Sequence, residues 1–169
     1  MICNQSLIII GESHGDNRGI IPRTAELIFQ KKMSLMKEEE RKAFTVKISV
    51  LEIYKEKLKD LLITSQNTTT AQSKGGNIRI REHMDGTVWV QGLTEFAVDN
   101  ELDFMKLLSI SLKRRVVGSH NMNNQSSRSH LIFIIHLTMC KATDDGPKAS
   151  TTIASKIYII DLAGSEMVS

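Results

Sequence analysis

The chain has 169 residues, 41% hydrophobic and 24% charged, which is ordinary globular usage, argues against wholesale disorder and suits one domain. Its 22 basic and 19 acidic side chains leave a net charge of +3, too balanced to point to nucleic acid. No apolar run reaches the roughly 20 residues of a membrane span, Leu7-Ile8-Ile9-Ile10 is too short for a signal-peptide core, and Cys3 and Cys140 build neither a disulfide framework nor a four-ligand metal site. These features predict a cytoplasmic single domain with reduced thiols and neither nucleic acid nor membrane as partner.

Residues 11–19, with Gly11, Gly15 and Gly19, are turn-formers and read as a loop. Pro22 suits a first helical turn, and Ala25, Ile28, Phe29, Met33 and Met36 follow at helical spacing. Phe44, Val46, Ile48 and Val50 alternate with polar residues, which predicts a half-buried strand. Tyr54, Leu58, Leu61 and Leu62 change the period and predict a short helix. Residues 63–77 are polar and low in complexity, a surface loop.

Ile78 and Ile80, Asp85-Gly86, then Val88 and Val90 give a hairpin signal with an Asp-Gly turn. Asp99 or Asn100 can cap a helix whose face is Leu102, Met105, Leu108 or Ser109, and Leu112. Lys113, Arg114 and Arg115 close it, where positive charge suits the helix dipole. Two apolar strands then follow, Leu131–Met139 and Lys156–Leu162, joined by a turn-rich segment. That connection has no helical pattern for a crossover, so the two strands should be adjacent and antiparallel, in one sheet with Phe44–Ile53. The order of elements predicts an α/β fold with a mixed central sheet flanked by helices.

Two polar segments frame the last strands. The first is Asn121 to His130, rich in hydroxyl and amide groups with one guanidinium, all suited to phosphate oxygens and Mg²⁺. The second is Asp161-Leu-Ala-Gly-Ser-Glu166, where an apolar strand delivers a carboxylate to the sheet edge. A carboxylate there can hold Mg²⁺ directly or through water, and the bare N–H of Gly164 can approach a terminal phosphate. Each segment alone also makes an ordinary polar turn. Arg128 and Glu166 carry opposite charges that could close the two loops on each other.

Asn123-Asn-Gln-Ser-Ser-Arg-Ser-His130 resembles switch I of the kinesin motor domain, and Asp161-Leu-Ala-Gly-Ser-Glu166 resembles its switch II. Gly19-Ile-Ile-Pro-Arg23, Leu51-Glu-Ile-Tyr54, Asp60-Leu-Leu62 and Val90-Gln-Gly-Leu-Thr-Glu95 are similar to kinesin segments in the same order. The resemblance implies a partial motor domain over residues 1–169, part of a microtubule-stimulated ATPase that uses ATP and Mg²⁺ on the cytoskeleton. It implies that Asn123, Ser126, Ser127 and Gly164 bind the nucleotide, that Ser127 and, through water, Asp161 serve the metal, and that Arg128 pairs with Glu166. Arg79 and Arg81 would face the microtubule, where basic groups meet acidic tubulin, although Glu82 and Asp85 lie beside them. His130 reads equally as a brace.

A kinesin also needs a phosphate loop, Gly-X-X-X-X-Gly-Lys-[Ser/Thr]. None of the 10 glycines here is followed by lysine, and the chain stops just after the second motif. The expectation is therefore a switch-bearing piece that binds no ATP tightly by itself. An alternative is a non-catalytic kinesin-like module that engages microtubules or a partner chain without ATP.

Overall fold

The structure is a computed structural model that describes residues 8–11, 15, 17–37, 41–63, 78–117, 128–142 and 150–164. Its elements in order are α1 (Ile20–Leu35), β1 (Arg41–Tyr54), β2 (Lys57–Asp60), β3 (Arg79–Glu82), β4 (Val88–Gln91), β5 (Phe96–Val98), α2 (Glu101–Val117), β6 (His130–Ala142) and β7 (Ser150–Asp161). β1, β6 and β7 are the long apolar runs, and they lie side by side in one sheet. β2 and β5 share the outer edge of β1, while β3 and β4 form a separate two-stranded sheet. Every pairing among the described strands is antiparallel. The expected neighbours in the sheet and the expected antiparallel pair are both found.

Strand alternation sets the core. Val46, Ile48 and Val50 of β1 and Leu131, Phe133 and Ile135 of β6 point to one face of the sheet. Both helices cover that face, α1 through Ile21, Ala25, Ile28 and Phe29, and α2 through Phe104 and Leu108. Met33 and Met36, expected on the buried stripe of α1, are exposed because the helix runs past the core at that end. The α2 face is also rotated from expectation: Leu102 is exposed, and the inward row is Phe104, Leu108, Ser111 and Arg115. Asn100 caps α2, its Oδ1 accepting the Asp103 N–H at 2.9 Å.

The loop before α1 is closed by backbone contact. Gly11 pairs with Arg18, and the Gly19 N–H donates to the Ile10 carbonyl at 3.3 Å. Gly11 sits at φ +56°, and a Cβ there would collide with the Gly19 backbone, so glycine is required.

The segment 54–62 corrects the sequence reading. No helix forms; β1 turns directly into β2, pairing Tyr54 with Lys57. Lys55 and Glu56 occupy the turn at φ 47° and 60°, the left-handed pair that a two-residue type I′ hairpin demands. Neither is Gly, Asn or Asp, so the usual turn signal is missing. Asp60 then fixes the strand end, its carboxylate accepting the Leu62 N–H at 2.8 Å and the Thr94 N–H at 2.7 Å. A non-glycine residue in this region costs about 1 kcal/mol or more. Glu56→Gly should therefore raise stability by about 1 kcal/mol while leaving the Lys55 ammonium over the Tyr54 ring. A urea midpoint that stays put or falls would contradict this account of the turn.

Candidate switch site

The site lies at one end of the three long strands, and register builds it. Leu131 pairs with Glu52 on one side and with Asp161 on the other. Glu52, Leu131 and Asp161 thus form a row across β1, β6 and β7, each in step with the core-facing residues of its own strand. Glu52 and Asp161 are 1% and 2% exposed, so two carboxylates flank one leucine inside the protein.

A single guanidinium from α2 lies over this row. Arg115 Nη1 donates to Asp161 Oδ2 at 2.8 Å, and Nη2 donates to the Ser129 carbonyl at 3.0 Å. Nε lies 3.9 Å from Glu52 Oε1. Ser129, fully buried, is the last residue before β6, so Arg115 joins the end of the first polar motif to the start of the second. His130 makes a further tie: its Nδ1 accepts the Ala163 N–H at 3.1 Å. Accepting there places the ring proton on Nε2, and the ring acts as the expected brace.

The sequence reading assigned the triplet 113–115 to the helix dipole alone, and the geometry corrects that. Arg115 is buried in the site, and Arg114 Nη1 donates to the carbonyls of Leu61 and Ile63. Both residues are structural ties between α2 and the sheet. Arg115 and Glu52 were missed as site residues, although a signal existed. Arg115 continues the Phe104–Leu108–Ser111 row at helical spacing, and Glu52 continues the Val46–Ile48–Val50 alternation. A charge on an apolar stripe calls for a buried partner.

Of the residues singled out from sequence, Asp161 is buried at the strand end and Gly164 is exposed three residues on. Arg128 is exposed at the entry to β6. Asn123, Ser126, Ser127 and Glu166 lie outside the described residues, and so does the Arg128–Glu166 contact. Arg79 and Arg81 sit on the β3–β4 hairpin, exposed as expected, with Arg81 Nε donating to Gln91 Oε1 at 2.8 Å. Trp89, opposite Arg81, stacks on His83 at 5.8 Å. The Asp85-Gly86 turn is present, and hydrogen bonds from Thr87 hold the Asp85 carboxyl below its usual range.

A second polar cluster lies on the opposite face of the sheet. His136 Nε2 is 3.1 Å from Ser49 Oγ, and its Nδ1 is 3.9 Å from Glu95. Burial lowers the His136 pKa, with Lys156 and Lys47 acting in the same direction against Glu95.

Among the described residues no group of three or more His, Cys, Asp and Glu side chains could hold a metal ion. Asp161 also commits one oxygen to Arg115. A lone carboxylate beside a guanidinium suits orienting a water of an ion held by other groups, and does not suit direct ligation. No described helix is long and apolar enough to cross a membrane.

The kinesin motor domain model matches residues 8–169. The chain is 33% identical over 166 residues to kinesin-related protein 3 of Dictyostelium discoideum, covering 97% of this chain and 12% of that protein. It is 36% identical over 162 residues to the human kinesin-like protein KIF1B, covering 96% of this chain and 8% of that one. A solved structure of a fast kinesin superposes with a TM-score of 0.78 at 31% identity, over 97% of this chain and 42% of that chain. The chain thus spans about a tenth of the length of these curated relatives. With motif order, sheet topology and these likenesses in agreement, the chain belongs to the kinesin motor domain family.

Proposed function

We propose that this chain is the switch-bearing part of an ATP-driven microtubule motor, working in the cytoplasm on the cytoskeleton. The observation that carries the reading is the register of β6 against β7, which sets the end of the first polar motif beside the start of the second. Loops rooted side by side can close together around one terminal phosphate. In this reading Asn123, Ser126, Ser127 and Gly164 contact the nucleotide, and Arg128 latches onto Glu166 when the loops close. Ser127 and a water on Asp161 would hold Mg²⁺, which would neutralise charge on the phosphates. The exposed Arg79 and Arg81 would meet acidic tubulin.

The chain itself supplies no lysine after any of its 10 glycines. A cradle of amides and a lysine is what holds the β- and γ-phosphates from the start. Alone, the chain should bind Mg·ATP no more tightly than millimolar. That expectation keeps the second reading open, a kinesin-like module that engages microtubules or a partner motor chain without ATP.

One experiment separates the readings. A longer form carrying a Gly-X-X-X-X-Gly-Lys-[Ser/Thr] loop is assayed for phosphate release with and without microtubules, beside the chain alone titrated with Mg·ATP by calorimetry. The motor reading expects microtubule-stimulated release from the longer form only, abolished by Arg128→Ala with nucleotide binding retained. Unchanged stimulated turnover in that variant would refute the latch. Microtubule binding without any release from the longer form would establish the non-catalytic module.

A further inference from the structure

Glu52 is the anomaly in the buried row. Its carboxylate is 1% exposed, and among the described residues neither oxygen accepts a hydrogen bond. Two cations stand near it, Arg115 Nε and Lys59 Nζ, each at 3.9 Å, too far for a hydrogen bond. Lys59 is half exposed and donates instead to the Arg114 carbonyl at 3.1 Å. A buried carboxylate without close hydrogen bonds carries a large desolvation cost and calls for a physical explanation.

The arrangement of the row suggests that explanation. Glu52 and Asp161 sit on either side of Leu131, one strand away each, so their backbones are about 10 Å apart. The Arg115 guanidinium lies between them with its Nη atoms toward Asp161 and Ser129 and its Nε toward Glu52. A shift of about 1 Å toward β1 would convert the 3.9 Å approach into a charge-assisted hydrogen bond. The same shift would lengthen the bond to Asp161.

We infer that Arg115 is a two-position positioning residue for the switches. In the arrangement described it holds Asp161 and Ser129 together, and Glu52 is the acceptor to which it moves when Asp161 is engaged elsewhere. Without Glu52, release of Asp161 would leave a guanidinium buried with one partner fewer. With it, the cation changes partners inside the protein and never has to be exposed to water. The inference rests on the reading that Asp161 serves the nucleotide site, but its test needs no nucleotide.

The test is nitrogen-15 NMR of the Arg115 side chain in the full chain. Asp161→Asn removes the charge that holds the guanidinium and leaves an isosteric side chain. In that variant the Nε–H proton should move downfield by about 0.5 ppm or more and exchange at least tenfold more slowly, as it gains the Glu52 carboxylate. Asp161→Asn with Glu52→Gln should show neither change, which separates the role from a merely structural one. The same resonance in both variants, or no movement in the first, would overturn the inference.

Should Asp161→Asn fail to fold, the unsubstituted chain gives the second measurement. Relaxation dispersion at Arg115 Nε should report exchange between two positions that vanishes in Glu52→Gln; equal dispersion in both would overturn the inference too. A motor that fails to hydrolyse ATP in the longer form would leave these spectra unaffected, so the two ideas fail separately.

Discussion

Arg115→Met should cost the chain about 3–5 kcal/mol of stability, because it removes the cation from a site that keeps two carboxylates buried. Glu52 and Asp161 are 1% and 2% exposed, so bulk solvent does not take the place of a lost cation. Breaking one partner of a buried ion group is costly for that reason, whereas removing the whole group is often close to neutral. The triple variant Glu52→Gln, Arg115→Met, Asp161→Asn should therefore recover much of the loss, since no unpaired charge is left. Urea unfolding of the single and triple variants reads this directly. A single-variant loss under about 1 kcal/mol would mean that the carboxylates find other compensation.

Phe104→Ala should be comparably severe, at about 3–5 kcal/mol. Phe104 is fully buried where the two helices meet the sheet. Its ring stands edge-on to Phe29 of α1 with centroids 6.3 Å apart, and it lies 5.4 Å from Phe133 of β6. Truncation would remove the ring that joins three elements and leave a cavity that the strands cannot close. Against a typical total of about 5–15 kcal/mol, one such loss takes a large share. Loss of near-ultraviolet circular dichroism at 37 °C, with far-ultraviolet signal retained, is the expected result. Phe104→Leu keeps much of the volume and should cost about half as much. Equal stability of Phe104→Ala and the unsubstituted chain would show that the aromatic row does not hold the helices down.

The parts of the fold legible in the sequence are those where one local signal decides the outcome. β6 and β7 are unbroken apolar runs with nothing helical between them, so their pairing follows from chain connectivity. The β3–β4 turn carries Asp85-Gly86, and Gly86 does adopt the positive φ, +80°, that this signal promises. The β1–β2 turn was illegible because Lys55 and Glu56 take left-handed conformations that their side chains disfavour, leaving Leu58, Leu61 and Leu62 to mimic a helical period. Asp161 and Gly164 could be singled out as motif positions. Arg115 could not be paired with Asp161 from sequence, since that contact bridges 46 positions and depends on the rotation of α2. Leu102 had suggested a different rotation, but Phe104 fills more of the core and sets it.

The antiparallel pairing of β6 and β7 separates two concerns along one hairpin. The register runs without interruption from Leu131 opposite Asp161 to Ala142 opposite Ser150. Eleven residues at roughly 3.3 Å each put the connecting end about 36 Å from the end that carries Asp161. The chain between positions 142 and 150 can therefore change in length and composition without altering which residues face each other at the site. Any one-residue slip in the strands, by contrast, would turn Asp161 to the opposite face and away from Arg115.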